Sequence, residues 1–313
     1  MKIVAHHIPE LDITLHQLQG TDLRIICIPD MEANWPVKAL LGSLSDDELL
    51  EAAQQAPAGS MDVEKGTIRL NFNIYLIETP DYVALIDAGV GNQKNRPDRP
   101  AWHQRNSAFL DILAALGVQP HDVDYLINTH LHADHVGWNT VFLDDIWQAA
   151  FPNAAYIVPE GELTYWSQIH AENAEKTTLH GAFEDSIKPI IETIGFQAVP
   201  ANYQICDGLT FEPAFGHSPG MAVVRLKSAE LNILFTADVI HHPLQLSQPL
   251  AVSNFCKAPD QARATRMSLL ENAAKERVIM APYHFPLPVF GQVEGGEGIY
   301  SYVPFDVEIT TKD

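Results

Sequence analysis

Thr129-His130-Leu131-His132-Ala133-Asp134-His135 is the stretch whose reading decides the fold of this chain. It follows Asp124-Tyr125-Leu126-Ile127-Asn128, an apolar run with the length and composition of a buried strand. His130, His132, Asp134 and His135 put four groups able to bind a metal into six residues. A strand that ends in a tight loop can turn alternate side chains towards one point. Neutral imidazoles beside a carboxylate suit divalent metals, zinc first, with manganese, cobalt or iron as the other candidates. A single H-x-H would be a weak signal, because a loop histidine is more often solvated or packed in a core. Four donors in the order H-x-H-x-D-H are a specific one.

Three residues further along complete the set. His217 follows a predicted strand at 209–215, Asp238 ends one at 231–237, and His284 lies just beyond one at 278–281. Each is expected at the C-terminal end of a strand, where a loop presents it to a common cleft. Seven nitrogen and oxygen donors suffice for two metal ions that share one carboxylate.

The surrounding pattern mixes strands and helices. Ser45-Asp46-Asp47-Glu48 has capping-box spacing and predicts a helix running to about Gln55. Ile68, Leu70, Phe72, Ile74 and Leu76 alternate, and a short apolar run at 83–86 ends at Asp87-Ala88-Gly89. Further strands are expected near 12–17 and 23–28, and at 154–158 and 221–226. Helices are expected at 106–116, near 160–170, at 183–192 and at 259–276. No repeat or linker divides the chain, so 1–313 reads as a single domain with 1–60 as an N-terminal extension packed on it. Strand meanders with helices outside them predict an α+β sandwich, sheets inside and helices on both outer faces.

Charge narrows the partners. The 313 residues carry 40 acidic against 19 basic side chains, a formal charge of -21. Such a field repels phosphate backbones and anionic membranes, and no run of Lys or Arg offers a local basic patch. A small neutral substrate fits this balance; nucleic acid and membrane do not. No apolar run approaches the roughly 18 residues that span a bilayer, and the first ten residues lack the apolar segment of a secretory signal. The cytoplasm is the expected location. Cys27, Cys206 and Cys256 are odd in number and widely spaced, which predicts free thiols rather than a disulfide framework.

In order and spacing, five elements resemble the metallo-β-lactamase-fold hydrolases. They are Leu85-Ile86-Asp87-Ala88-Gly89, His130-Leu131-His132-Ala133-Asp134-His135-Val136-Gly137, Gly216-His217-Ser218-Pro219-Gly220, Thr236-Ala237-Asp238 and His284. The resemblance implies an αββα sandwich with the metals at one sheet edge. It implies His130, His132 and His217 on one metal and Asp134, His135 and His284 on the other. Asp238 and a hydroxide would bridge the two, and Asp87 would support the ligands from behind. It also implies hydrolysis in which Asp134 orients the hydroxide and takes its proton. A homodimer with the N-terminal segment as a contact belongs to the same expectation.

Within the family the layout is similar to the lactonase and methyl-parathion-hydrolase-like branch. Members that open acyl-homoserine lactones carry a tyrosine three residues after the bridging aspartate. In Phe235-Thr236-Ala237-Asp238-Val239-Ile240-His241 that position is His241, whose imidazole can give a proton to a leaving alkoxide. The expected reaction is hydrolysis of a neutral lactone or carboxylic ester, an acyl-homoserine lactone among them, with side activity on phosphotriesters. Organophosphate hydrolysis as the main activity and single-iron redox chemistry are the alternatives within the fold. Trp138, His241, Leu244 and Phe285 are the candidates for the pocket wall.

Gly216-His217-Ser218-Pro219-Gly220 also fits G-x-S-x-G, the nucleophile elbow of serine hydrolases. There the N–H after the serine completes the oxyanion hole. Here that residue is Pro219, which has no N–H, and the serine reading loses a necessary donor. His6, His7, His121, His170 and His180 show no ligand spacing and read as surface or capping residues.

Overall fold

The computed structural model describes residues 2–19, 23–173, 175–229 and 231–309. Met1 and 310–313, the ends of the expected 1–313 domain, lie outside the described residues. The first sheet opens with β1 (Lys2–Ile8), β2 (Ile13–Gln19), β3 (Arg24–Pro36) and the two-residue β4 (Met61–Asp62). It continues through β5 (Thr67–Glu78), β6 (Val83–Ile86) and β7 (Tyr125–Ile127). A separate hairpin, β8 (Thr140–Leu143) and β9 (Ile146–Ala149), precedes its β10 (Ala155–Pro159) and β11 (Phe196–Val199).

The second sheet follows in chain order and pairs in the same order. It holds β12 (Gln204–Cys206), β13 (Leu209–Pro213), β14 (Ala222–Lys227) and β15 (Asn232–Phe235). β16 (Ile279–Ala281), β17 (Gly291–Gly296) and β18 (Ile299–Pro304) complete it. β19 (Val307–Ile309) then returns to the first sheet and runs parallel to β1, Ile3 opposite Val307. The order of the first sheet is therefore β11-β10-β7-β6-β5-β3-β2-β1-β19. The helices are α1 (Val37–Leu40), α2 (Asp46–Gln55), α3 (Phe109–Ala115), α4 (Glu160–Glu172), α5 (Lys188–Glu192), α6 (Leu244–Ser247) and α7 (Pro259–Glu276).

Alternation along the central strands shows why the layers form. Cys27, Tyr75, Ile77, Ile86 and Ile127 face the second sheet and pack with Phe211, Val224 and Phe235. Their neighbours Ile26, Ile28, Ile74, Leu76, Leu85 and Leu126 point the other way and pack with Phe109, Ile112 and Leu113 of α3. Strands covered on both faces read as nearly continuous apolar runs, which is how 83–86 and 124–128 look in the sequence. On the far side, α7 buries Leu270 and Ala273 against the second sheet. The result is an αββα sandwich of the α+β class, as expected.

Local signals hold well where they are self-contained. Ser45 caps α2: its hydroxyl accepts the Glu48 N–H, and the Glu48 carboxylate accepts the Ser45 N–H at 2.7 Å. Other stretches differ from expectation. The strand expected at 23–28 runs on to Pro36, because β5 is long enough to pair with it as far as Thr67. The helix expected from 106 begins at Phe109, and a π-helical turn over residues 183–187 precedes α5. Within the expected 1–60 extension, β1 to β3 are strands of the first sheet. The residues beyond His284 add two strands to one sheet and an edge to the other.

Candidate metal centre

The donors come from loops at one edge of the sandwich. Asp87 follows β6, the loop 128–136 follows β7, and His217 lies between β13 and β14. Asp238 sits in the turn Ala237–Val239 after β15, and His284 follows β16. The first two loops are pressed together: a Cβ on Gly137 would lie 2.0 Å from the Val90 carbonyl carbon, so only glycine allows the approach. Ala88 N–H and Trp138 N–H bond across it to His135 O and Ala88 O at 2.8 and 2.7 Å.

Two groups of donors result. His130, His132, His217 and Asp238 each offer an atom within 4.8 Å of the others, and so do Asp134, His135 and His284. In the first group His132 Nδ1 stands 3.1 Å from His130 Nε2 and 2.8 Å from His217 Nε2. Asp238 lies between the groups, its oxygens 3.2 Å from His217 Nε2, 3.1 Å from His135 Nε2 and 3.4 Å from His284 Nε2. His135 Nε2 and Asp238 Oδ1 are buried with no hydrogen-bond partner among the described residues.

The outward ring nitrogens of four of the five histidines are occupied. Nδ1 of His135 donates to Asp87 Oδ2 at 2.9 Å, and Asp87 also accepts from Thr129 N–H and its hydroxyl at 2.8–3.0 Å. Nδ1 of His284 donates to the Asn71 carbonyl at 2.9 Å. Nδ1 of His130 meets the Thr129 hydroxyl at 3.2 Å, and Nδ1 of His217 meets Cys256 Sγ at 3.6 Å. Tyr283 donates to the Asp134 carbonyl and stacks its ring on His135 at 3.8 Å. These four rings are thereby fixed with the other nitrogen turned inward, the arrangement by which proteins orient metal-binding histidines.

Electrostatics agree with that chemistry. Burial holds His130 and His217 well below the ordinary imidazole range, so both are neutral donors. Burial would lower His135 too, but Asp238, Asp87 and Asp134 outweigh it and raise it well above. Burial would raise Asp238, yet the four surrounding imidazoles outweigh it and hold it ionised. Inward nitrogens, a carboxylate oxygen with no hydrogen-bond partner among the described residues, and the neutral rings of His130 and His217 fit a pair of divalent cations.

A cleft of about 540 Å³ opens onto these residues. Trp35, Leu70, Phe72, Trp102, Trp166 and Phe255 give it an apolar wall, with His241 and His180 also lining it. Three of the expected pocket residues are elsewhere. Trp138 is buried beside Phe109, its indole N–H held by Asp30 Oδ1 at 3.0 Å. Leu244 packs with the core around α2 and Trp166. Phe285 lies between the sheets against Tyr302. His180, read as a surface or capping residue, is exposed, and it also lines the cleft, edge-on to Trp102. Glu162, which touches two of the ligand loops, had no signal beyond an acidic residue in a helix's first turn.

Residues 69–284 match the family model of the metallo-beta-lactamase superfamily. The chain belongs to this superfamily. Curated relatives of this superfamily member include the N-acyl homoserine lactonase of Bacillus thuringiensis, 24% identical over 219 residues, covering 66% of this chain and 78% of the relative. The N-acyl homoserine lactonase AttM of Rhizobium radiobacter is 30% identical over 101 residues, covering 29% of this chain and 35% of the relative. Among solved structures, the hydrolase AbOPH of the beta lactamase superfamily superposes with a TM-score of 0.77 at 23% identity, over 96% of this chain and 98% of that one. AidC, a dizinc quorum-quenching lactonase, superposes with a TM-score of 0.76 at 19% identity, over 93% and 97%. With this family and these homologues, the metallo-beta-lactamase chain is a metal-dependent hydrolase.

Proposed function

We propose that this hydrolase opens lactones or carboxylic esters of neutral, largely apolar substrates, with N-acyl homoserine lactones as the first class to test. The observation that carries this reading is the junction of a seven-donor cluster with an aromatic cleft of about 540 Å³. His130, His132 and His217 would hold one divalent cation, zinc first, and Asp134, His135 and His284 a second, with Asp238 between them. Such a pair, when bound, supplies a water nucleophile acidified to neutral pH and polarises the scissile carbonyl.

The chain's own residues account for the rest. Phe72, Trp35 and Trp102 bury an acyl or alkyl group and exclude water from the carbonyl. The Asp134 carboxylate lines the cleft and can orient the attacking water and accept its proton. His241 also lines the cleft, and neither ring nitrogen has a hydrogen-bond partner among the described residues, although Nε2 is 3.3 Å from Asp238. That supports His241 as the group that passes to the leaving oxygen the proton Asp134 takes from the attacking water.

The test is metal analysis of the purified protein with a panel of lactones, aryl esters and a phosphotriester. Lactone or ester turnover that follows metal content is the expected result, with phosphotriesters as the slower side activity. Fully metallated protein inactive on the whole panel would overturn the proposal.

A further inference from the structure

Glu162 is fully buried in the first turn of α4, and among the described residues no Lys or Arg pairs with it. Its carboxylate is surrounded by donors. Oε1 accepts the Leu131 N–H at 3.2 Å, the Trp166 indole N–H at 2.7 Å and the Ser218 hydroxyl at 2.5 Å, and Oε2 accepts the Gly220 N–H at 2.9 Å. Four donors and no acceptor call for an ionised group. Burying a charge without a counter-ion is costly even when it is hydrogen-bonded, and a neutral side chain would fill the same space more cheaply. The fold therefore retains a charge here for some other reason.

The partners supply that reason. Leu131 lies between His130 and His132, while Ser218 and Gly220 flank the loop just after His217. Those three histidines belong to one donor group, and they come from two loops, with His132 and His217 85 residues apart. The Ser218–Gly220 loop is seated hard on α4: a Cβ on Gly220 would lie 2.1 Å from the Glu162 nitrogen. Trp166, held by the same carboxylate, packs edge-on to His132 at 5.7 Å.

We infer that Glu162 is a positioning residue for the three-histidine position, tying its two loops at the spacing a cation needs and setting a negative charge behind three neutral imidazoles. Asp87 holds the His135 ring directly; Glu162 acts one step further back, through the loops that carry His130, His132 and His217. The inference rests on the two-metal reading above.

Metal-free protein titrated with cobalt(II), followed by absorption and by metal content, separates the two. Wild-type protein should take up both ions. Glu162→Gln should bind one ion normally and the other roughly 10–100-fold more weakly, the usual cost of removing a partner behind the ligands. Adding His284→Ala to Glu162→Gln should abolish the remaining tight step, whereas adding His217→Ala should leave it. Ser218→Ala removes one donor without disturbing the buried charge and should weaken the same step less, which keeps the test open if Glu162→Gln does not fold. Unchanged binding, or equal weakening of both steps, overturns the inference. Wild-type protein that binds no cobalt overturns the metal reading beneath it.

Discussion

The rings of Trp35 and Trp102 stand 6.2 Å apart, tilted by 38°, and close one side of the cleft. Phe72 joins them, meeting Trp102 edge-on at 5.9 Å and the ligand-group residue His284 at 5.1 Å. The apolar wall thus runs directly up to the donors. Trp102→Ala should remove about 1.5–3 kcal/mol of apolar contact from a substrate that fills the wall. Steady-state kinetics should then show KM rising tenfold or more for long-chain substrates, with kcat and short-chain esters little changed. An equal loss on both chain lengths would place the substrate elsewhere.

Removing the metals should cost stability as well as activity. The donors are largely buried imidazoles and carboxylates, and two of their inward atoms, His135 Nε2 and Asp238 Oδ1, lack hydrogen-bond partners among the described residues. A ligand that binds only the folded state stabilises it by mass action. Dialysis against a chelator should therefore abolish turnover and lower the Tm, and stoichiometric zinc should restore both. A Tm that does not respond to metal would contradict the site.

His242 should make the fold acid-sensitive. Its Nε2 donates to the Ser60 carbonyl at 3.0 Å and its Nδ1 accepts the Leu244 N–H at 3.2 Å, an arrangement only the neutral ring can make. Burial holds it down to about 4. The unfolded chain, titrating near 6.5, binds more protons between pH 6.5 and 4, so stability falls as pH drops through that window. The loss is about 3 kcal/mol at its largest. Denaturant unfolding of His242→Asn between pH 7 and 4 should show a shallower pH dependence than the parent; parallel curves would refute the assignment.

Asp185 anchors a buried ion cluster away from the cleft. It receives Arg96 through two bonds of 2.6 and 2.8 Å, and Lys94 stands 3.8 Å from it. Asp185→Asn leaves the buried Arg96 cation, and Lys94, which burial already pulls down to about 7, without their carboxylate. A loss of about 3–5 kcal/mol is expected from the denaturant midpoint, with KM unchanged in whatever protein remains folded. A loss under 1 kcal/mol would mean that the cations reach solvent.

The features legible in the sequence were those whose causes are local. The capping box at Ser45 and the proline-started helix 259–276 carry their signals within a few residues, and α2 and α7 have those bounds. The same holds for the crowding of donors between His130 and His135. Trp138 was not legible, because the carboxylate that fixes its indole in the core is Asp30, 108 positions away. The cleft was hidden for a related reason: Trp35, Trp102, Trp166 and Phe255 come from four separate segments with no shared period. β17 escaped notice because Gly291, Gly295 and Gly296 break the alternation that marks a strand.

The split of donors between the two sheets also sets a schedule. His130 to His135 leave the first sheet, whereas His217, Asp238 and His284 leave the second. Neither half holds a complete set, and the contacts that join them span long stretches of chain, which form slowly during folding. A cation can therefore be captured only after the sheets have docked. Its arrival is a clock for that event, and a metal-sensitive dye in a refolding mixture would read the final step of folding directly.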